Sequence, residues 1–194
     1  MMSYTEKNKV KLKFLEGKRV YLRPLEKEDL PYIQKWTNDS EIRRLTGEVI
    51  PMSQADADKF LERVYSDNTR EWFVIVVKEN DRVIGETGLL RMFPAWRTTD
   101  ISIIIGKKDA WGKGYGTEAI LLLLDYAFRY LNFHRVAIGV VGFNKRAISF
   151  WKKIGFKKEG VQRDGYYYNH KYFDFVMMSI LEDEFRELHG GNSR

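Results

Sequence analysis

The sequence predicts an α+β (broadly α/β) domain built on a mixed central sheet, in the order β-αα-βββ-α-β-α-ββ. Three observations carry that prediction. Residues 71–106 hold three apolar, β-branched-rich runs joined by short links, the pattern of an antiparallel meander. An apolar helical stretch over 117–131 then separates the third run from a fourth at 134–141, the arrangement of a parallel crossover. Between strand and helix sits "DAWGKGYGTEA", with glycines at 112, 114 and 116.

The elements follow in order. "KRVYLRPL" (18–25) reads as a strand stopped by Pro24. Residues 26–39 begin acidic and carry Leu30, Ile33 and Trp36 at helical spacing. Residues 53–67 form a second helix with Ser53 as N-cap and Phe60, Leu61 and Val64 as the inward face. The strands 71–79, 83–92 and 98–106 make the meander. In the helix over 117–131, Ala119, Leu123, Ala127 and Leu131 form one apolar stripe, and Ile120, Leu124 and Phe128 a second. A helix so apolar lies against a sheet. After the strand 134–141, residues 144–154 form a helix with Asn144 as N-cap and Gly155 as C-cap. Two more strands occupy 156–180. One domain is expected over 12–185, with an N-terminal extension (1–11) and a C-terminal tail (186–194).

The chain has 194 residues and no cysteine, which removes disulfides, thiolate nucleophiles and cysteine metal sites. Its longest wholly apolar run, "AILLLL", is far too short for a membrane span. No signal-peptide pattern is present, and a cytoplasmic location is expected. The net charge of +6 suits nucleic acid, an anionic cofactor or nothing in particular. The basic residues are dispersed, so nucleic acid is not required as a partner.

A strand-to-helix junction exposes unpaired N–H groups at the positive end of a helix dipole, a ready anion site. Glycines let a phosphate reach that backbone. The dinucleotide fingerprint GxGxxG and the Walker loop both fail to match, because the spacing is GxGxG and Lys113 precedes Gly114. Spacing alone also allows a flexible loop whose glycines serve helix packing. Position adds more: the loop stands where antiparallel pairing gives way to parallel. Strands can splay there and leave the backbone of "IIIG" (103–106) open to a ligand.

The element order, together with "DISIIIGKKDAWGKGYGTEA" and "NKRAISFWKKIGFKKEG", resembles the GNAT superfamily of acyl-CoA-dependent N-acyltransferases. Within it the chain is similar to the branch holding ribosomal-protein N-terminal alanine acetyltransferases and spermidine acetyltransferases. The resemblance covers roughly residues 12–185. It implies a sheet splayed at the cofactor site and acetyl-CoA as donor, with the pyrophosphate on the backbone of Gly112, Lys113, Gly114, Gly116 and Thr117, and Tyr115 also among the cofactor-binding residues. It places the pantetheine along Ile104, Ile105 and Gly106, near Asn144 and Trp151. Charge and position make Lys113, Lys145 or Arg146 the partner of the 3′-phosphate. Two positions depart from the pattern. Trp111 stands where the wider superfamily has Gln or Arg. Trp151 stands where many members have a tyrosine that protonates the leaving thiolate, and indole has no dissociable proton near neutral pH.

Amine attack on a thioester needs a neutral amine and a polarised carbonyl. Glu86 and Asp100 lie on neighbouring strands and are the carboxylates expected to take the proton. Tyr166, Tyr167, Tyr168 and Tyr172 cluster near the last hairpin, and Tyr168 is the candidate substitute acid or acceptor contact. His134 and His170 are further catalytic candidates, each with a structural role as the alternative, and neither has a metal-ligand partner, so no metal is expected. The resemblance implies transfer to a primary amine, with a peptide or protein N-terminus favoured. The alternatives are a small amine, such as a polyamine or aminoglycoside, and a non-catalytic acyl-CoA-binding module. The exposed strand edges permit a homodimer.

Overall fold

The computed structural model describes residues 12–190. The expected extension 1–11 lies outside the described residues. A single sheet of eight strands runs through the molecule in the spatial order β1-β2-β3-β4-β5-β6-β8-β7. Its first half is antiparallel: β1 (Leu15–Glu16), β2 (Val20–Pro24), β3 (Glu71–Val77), β4 (Arg82–Phe93) and β5 (Thr98–Ile105). A helical crossover leads to β6 (Arg135–Val141), which lies parallel to β5. The hairpin of β7 (Lys157–Tyr168) and β8 (Lys171–Leu181) completes the sheet, β8 pairing antiparallel with β6.

Helices cover both faces. Helices α1 (Leu30–Asn38), α2 (Ser40–Thr46) and α3 (Gln54–Ser66) close one apolar layer around Leu30, Ile33, Trp36, Ile42 and Leu61. On the other face, α4 (Tyr115–Asp125), α5 (Lys145–Ile154) and α6 (Glu182–His189) bury Ile120, Leu123, Leu124, Trp151 and Phe185. Both expected stripes of the central helix are inward: Ala119, Ile120, Leu123, Leu124, Ala127 and Phe128 are buried, and Leu131 packs at their edge. That helix starts at Tyr115, two residues early, and finishes as a π turn over Tyr126–Tyr130, where the Leu131 N–H reaches back to the Tyr126 carbonyl.

Two helices depart from expectation. Helix α2 was not foreseen: Asp39 caps it by accepting from the N–H groups of Glu41 and Ile42, and Gly47 ends it. The supposed tail boundary at 186 falls inside α6, which docks by Phe185 against Phe128 and by His189 Nε2 against the Ile154 carbonyl, 2.8 Å away. Among the described residues no helix is long and apolar enough to cross a membrane.

The feature that positions the site is the parallel pair. Strands β5 and β6 pair only at Thr98–Asp100 with Arg135–Ala137. Beyond this, β5 stays with β4 through Ile105, and β6 stays with β8 through Val141. The two strands therefore diverge and open a V in the sheet.

Candidate active site

The V opens into a cleft of about 500 Å³. One wall is β5 from Ser102 to Ile105 together with Gly112, Gly114, Gly116 and Thr117. The facing wall is β6 from Ile138 to Val141 with Asn144, Arg146, Phe150, Trp151 and Lys153 on α5. The end of α2, with Ile42, Leu45, Thr46 and then Glu48, closes one side.

The glycine loop is shaped as an anion cradle. Gly112 and Gly114 have φ of +75° and +82°, a region that strains any other residue. A Cβ at Gly112 would meet nothing within 4 Å, so its bare backbone faces open space. Gly114 precedes α4, and no side chain caps the helix, which leaves its first N–H groups for a ligand. The loop is held from behind. Arg19 Nη1 donates to the Lys113 carbonyl at 2.9 Å, and its guanidinium lies over the Tyr115 ring. Glu118 accepts from the backbone N–H groups of Arg19 and Val20, tying α4 to β2. These contacts and Arg19 Nε hold its carboxyl below the usual carboxylate range against partial burial.

Three of the expected donor-binding residues stand elsewhere. Gly106 does not line the cleft: a Cβ there would sit about 2.0 Å from the Trp36 ring, so this glycine makes room for α1. Lys113 and Tyr115 line a separate depression of about 170 Å³, beside Arg82 and Asp109. Their backbone remains part of the loop. Ile104, Ile105, Gly112, Gly114, Gly116, Thr117, Asn144, Arg146 and Trp151 all line the cleft. Asn144 does two jobs. Its Oδ1 accepts from the Ala147 N–H and caps α5, and its Nδ2 donates to the Leu45 carbonyl at the end of α2. Trp151 is buried between Phe150 and Phe156.

The catalytic candidates divide. Glu86 and Asp100 project from the same sheet face, opposite Ile104 and Leu90. The four residues from Asp100 to Ile104 put them about 13 Å apart along β5. Asp100 lies where β5 and β6 still pair, outside the cleft, in an ion pair with Arg91. Tyr168 stacks with Tyr166 and leans on Phe143 in the β7–β8 hairpin, also outside the cleft. Glu86 lies just behind the wall, beside Ile104. It is buried and accepts from Trp72 Nε1 at 2.8 Å. Burial pushes its carboxyl up to about 7, the Trp72 N–H opposes that rise, and the charge of Glu48 adds to it. His134 lies at the opposite end of β6, where its backbone bonds Arg97 and Glu182. His170 lies in the exposed hairpin turn near Tyr167. The residue missed from sequence is Glu48. Its charge also raises the hydroxyl of Tyr166, after the larger effect of burial. That hydroxyl is buried without a hydrogen-bond partner.

A splayed parallel pair, an open strand edge and an uncapped glycine-rich helix start define an acyl-CoA-dependent acyltransferase. The acetyltransferase (GNAT) domain model matches residues 19–157, and the chain belongs to this family. The spermidine N(1)-acetyltransferase of Escherichia coli (strain K12) is 28% identical over 170 residues, covering 88% of this chain and 90% of that protein. An N-acetyltransferase of Bacillus licheniformis is 29% identical over 175 residues, covering 88% of this chain and 97% of its own. The crystal structure of spermidine N-acetyltransferase from Vibrio cholerae in complex with CoA and spermine superposes with a TM-score of 0.81 at 28% identity. It covers 86% of this chain and 98% of that one. The protein is an N-acetyltransferase with acetyl-CoA as donor.

Proposed function

We propose that the acceptor is a polyamine, acetylated on a primary amine. The observation that carries this reading is similarity along nearly the whole chain to spermidine acetyltransferases, one of them in complex with CoA and spermine. It favours the small-amine alternative over the peptide terminus expected from sequence. The cleft supports a cationic acceptor. Glu48 stands on its wall and pairs with no cation among the described residues, so its field is available to an ammonium. A cytoplasmic location accords with such a substrate.

Acetyl-CoA supplies the thioester. The residues of this chain do the rest. Glu48 draws in the ammonium, and Glu86, poised near neutral pH, takes its proton through water entering beside Glu48. The β5 backbone beyond Asp100, unpaired with β6, offers N–H groups to the carbonyl oxygen. Trp151 packs the wall and gives no proton. A thiol of ordinary pKa, about 8.5, leaves as thiolate near neutral pH without an acid.

The test is acetyl transfer to spermidine, spermine, putrescine and an alanine-terminated peptide. Polyamines are expected to exceed the peptide in kcat/KM. The Glu48→Gln variant should raise polyamine KM about tenfold, the worth of a lost charge-assisted contact, with CoA affinity unchanged. A preference for the peptide would overturn the acceptor and leave the donor standing.

A further inference from the structure

We propose that Trp111 is a positioning residue that seats Arg146 for the 3′-phosphate of acetyl-CoA, making the enzyme selective for the 3′-phosphorylated donor. Trp111 belongs to the β5–α4 wall of the cleft, and Arg146 to the first turn of α5 on the facing wall. The Arg146 guanidinium lies over the Trp111 ring, 4.9 Å from its centre, so the pair bridges the two walls of the cleft. The ring is fixed on two sides. Its Nε1–H donates to the Ile105 carbonyl at 2.6 Å, and its flank packs on the apolar layer that includes Trp36 and Ile104.

Stacking spends the face of a guanidinium and leaves its edge N–H groups free. Arg146 forms no ion pair or side-chain hydrogen bond among the described residues, so those edge donors are unspent. A planar fork of donors matches a phosphate. The charge distribution names which phosphate. The pyrophosphate is met by the backbone of the glycine loop and the start of α4. Of the cations proposed for the remaining 3′-phosphate, Lys113 lines the separate depression and Lys145 lies off the cleft wall. Lys153 does line the cleft, but seven residues further along α5, about 10 Å down the helix axis. Arg19 also touches the loop, but from behind, off the cleft lining, with its guanidinium engaged by the Lys113 carbonyl and Glu118. Arg146 is the cation on the cleft wall facing the loop. Trp111, at the position where the wider superfamily has Gln or Arg, supplies the seat.

The experiment is calorimetric binding of CoA and 3′-dephospho-CoA, which needs no acceptor and so stands apart from the polyamine reading. The wild-type chain should bind CoA about tenfold or more tightly than the dephospho form, as one charge-assisted phosphate contact implies. Arg146→Gln should bring the ratio to about one by weakening CoA alone. Trp111→Leu should do the same, while Trp111→Phe, which keeps a ring face, retains most of the ratio. Lys153→Gln should leave it unchanged. The proposal is overturned if the wild type binds both ligands equally, if Arg146→Gln keeps the ratio, or if Lys153→Gln abolishes it. It is equally overturned if Trp111→Leu weakens both ligands alike, since Trp111 would then support the loop and nothing more.

Discussion

The N–H groups of Tyr115, Gly116 and Thr117 open a helix of 11 residues that no side chain caps, so they carry unsatisfied donors and the positive end of its dipole. A negative side chain tests that anion site, but the position must be chosen by backbone. At Gly112 or Gly114 any side chain is strained by the positive φ, and folding would suffer together with binding. Thr117 has an ordinary helical backbone and lines the cleft. Thr117→Asp places a carboxylate in the first turn, where it stabilises a helix by about 0.3–1 kcal/mol. The variant should therefore melt no lower than the wild type yet bind CoA at least about tenfold more weakly, since like charges now meet. Thermal melting and calorimetry on one preparation separate the two effects. Undiminished CoA binding would place the phosphates elsewhere. Gly106 shows how a glycine in the same sequence neighbourhood serves a different end, admitting the Trp36 ring. Nothing in the local spacing distinguishes the two uses, because Trp36 arrives from 70 residues away in sequence.

Helix α2 is short and is held at both ends by other elements. Lys108, on the link between β5 and α4, reaches Asp39 and Glu41 at its start, and Asn144 reaches the Leu45 carbonyl at its end. The loop carrying Glu48 follows directly, so the placement of Glu48 depends on α5 through Asn144. Asn144→Ala should cost about 1 kcal/mol from the lost cap and should also raise the acceptor KM. Asn144→Asp keeps an oxygen for the Ala147 N–H but offers no donor to Leu45. It should recover stability and leave KM raised, a split visible by comparing denaturation with steady-state kinetics. Recovery of both would mean that the Leu45 bond does not position the Glu48 loop. The same elements show what the sequence could convey. The crossover was readable because its strands and helix are long and periodic, and the antiparallel-to-parallel switch located the cleft. The capping signals of α2 were present in Asp39 and Gly47, but seven residues give too few apolar positions for a period to stand out. Glu48 was unreadable because one glutamate among many charges gains meaning only when β5, β6 and α2 converge.

The buried carboxyl of Glu86 links the folding of the chain to pH. In the folded chain burial lifts it from its ordinary 4.5 to about 7. Between those values the unfolded chain has lost this proton and the folded chain retains it. The folded state then binds more protons, so stability contributed by this group falls as pH rises through that window and levels off above it. The shift corresponds to a few kcal/mol, on the order of 3. Glu86→Gln removes the titration and keeps an oxygen acceptor for the Trp72 N–H. The variant and wild type should unfold with similar free energies near pH 4, and the variant should become the more stable as pH rises to 8. Groups common to both chains cancel in that difference. A carboxyl retained at this cost fits a proton acceptor better than a structural group, because an amide would fill the place with less penalty. The rate then decides between them. Wild-type kcat/KM for the polyamine should rise through about pH 7, and the variant should lose that rise together with about 100-fold or more in rate. A stability gap that opens with pH while the rate profile stays unchanged would leave Glu86 as a buried support of Trp72 and move the proton to Glu48.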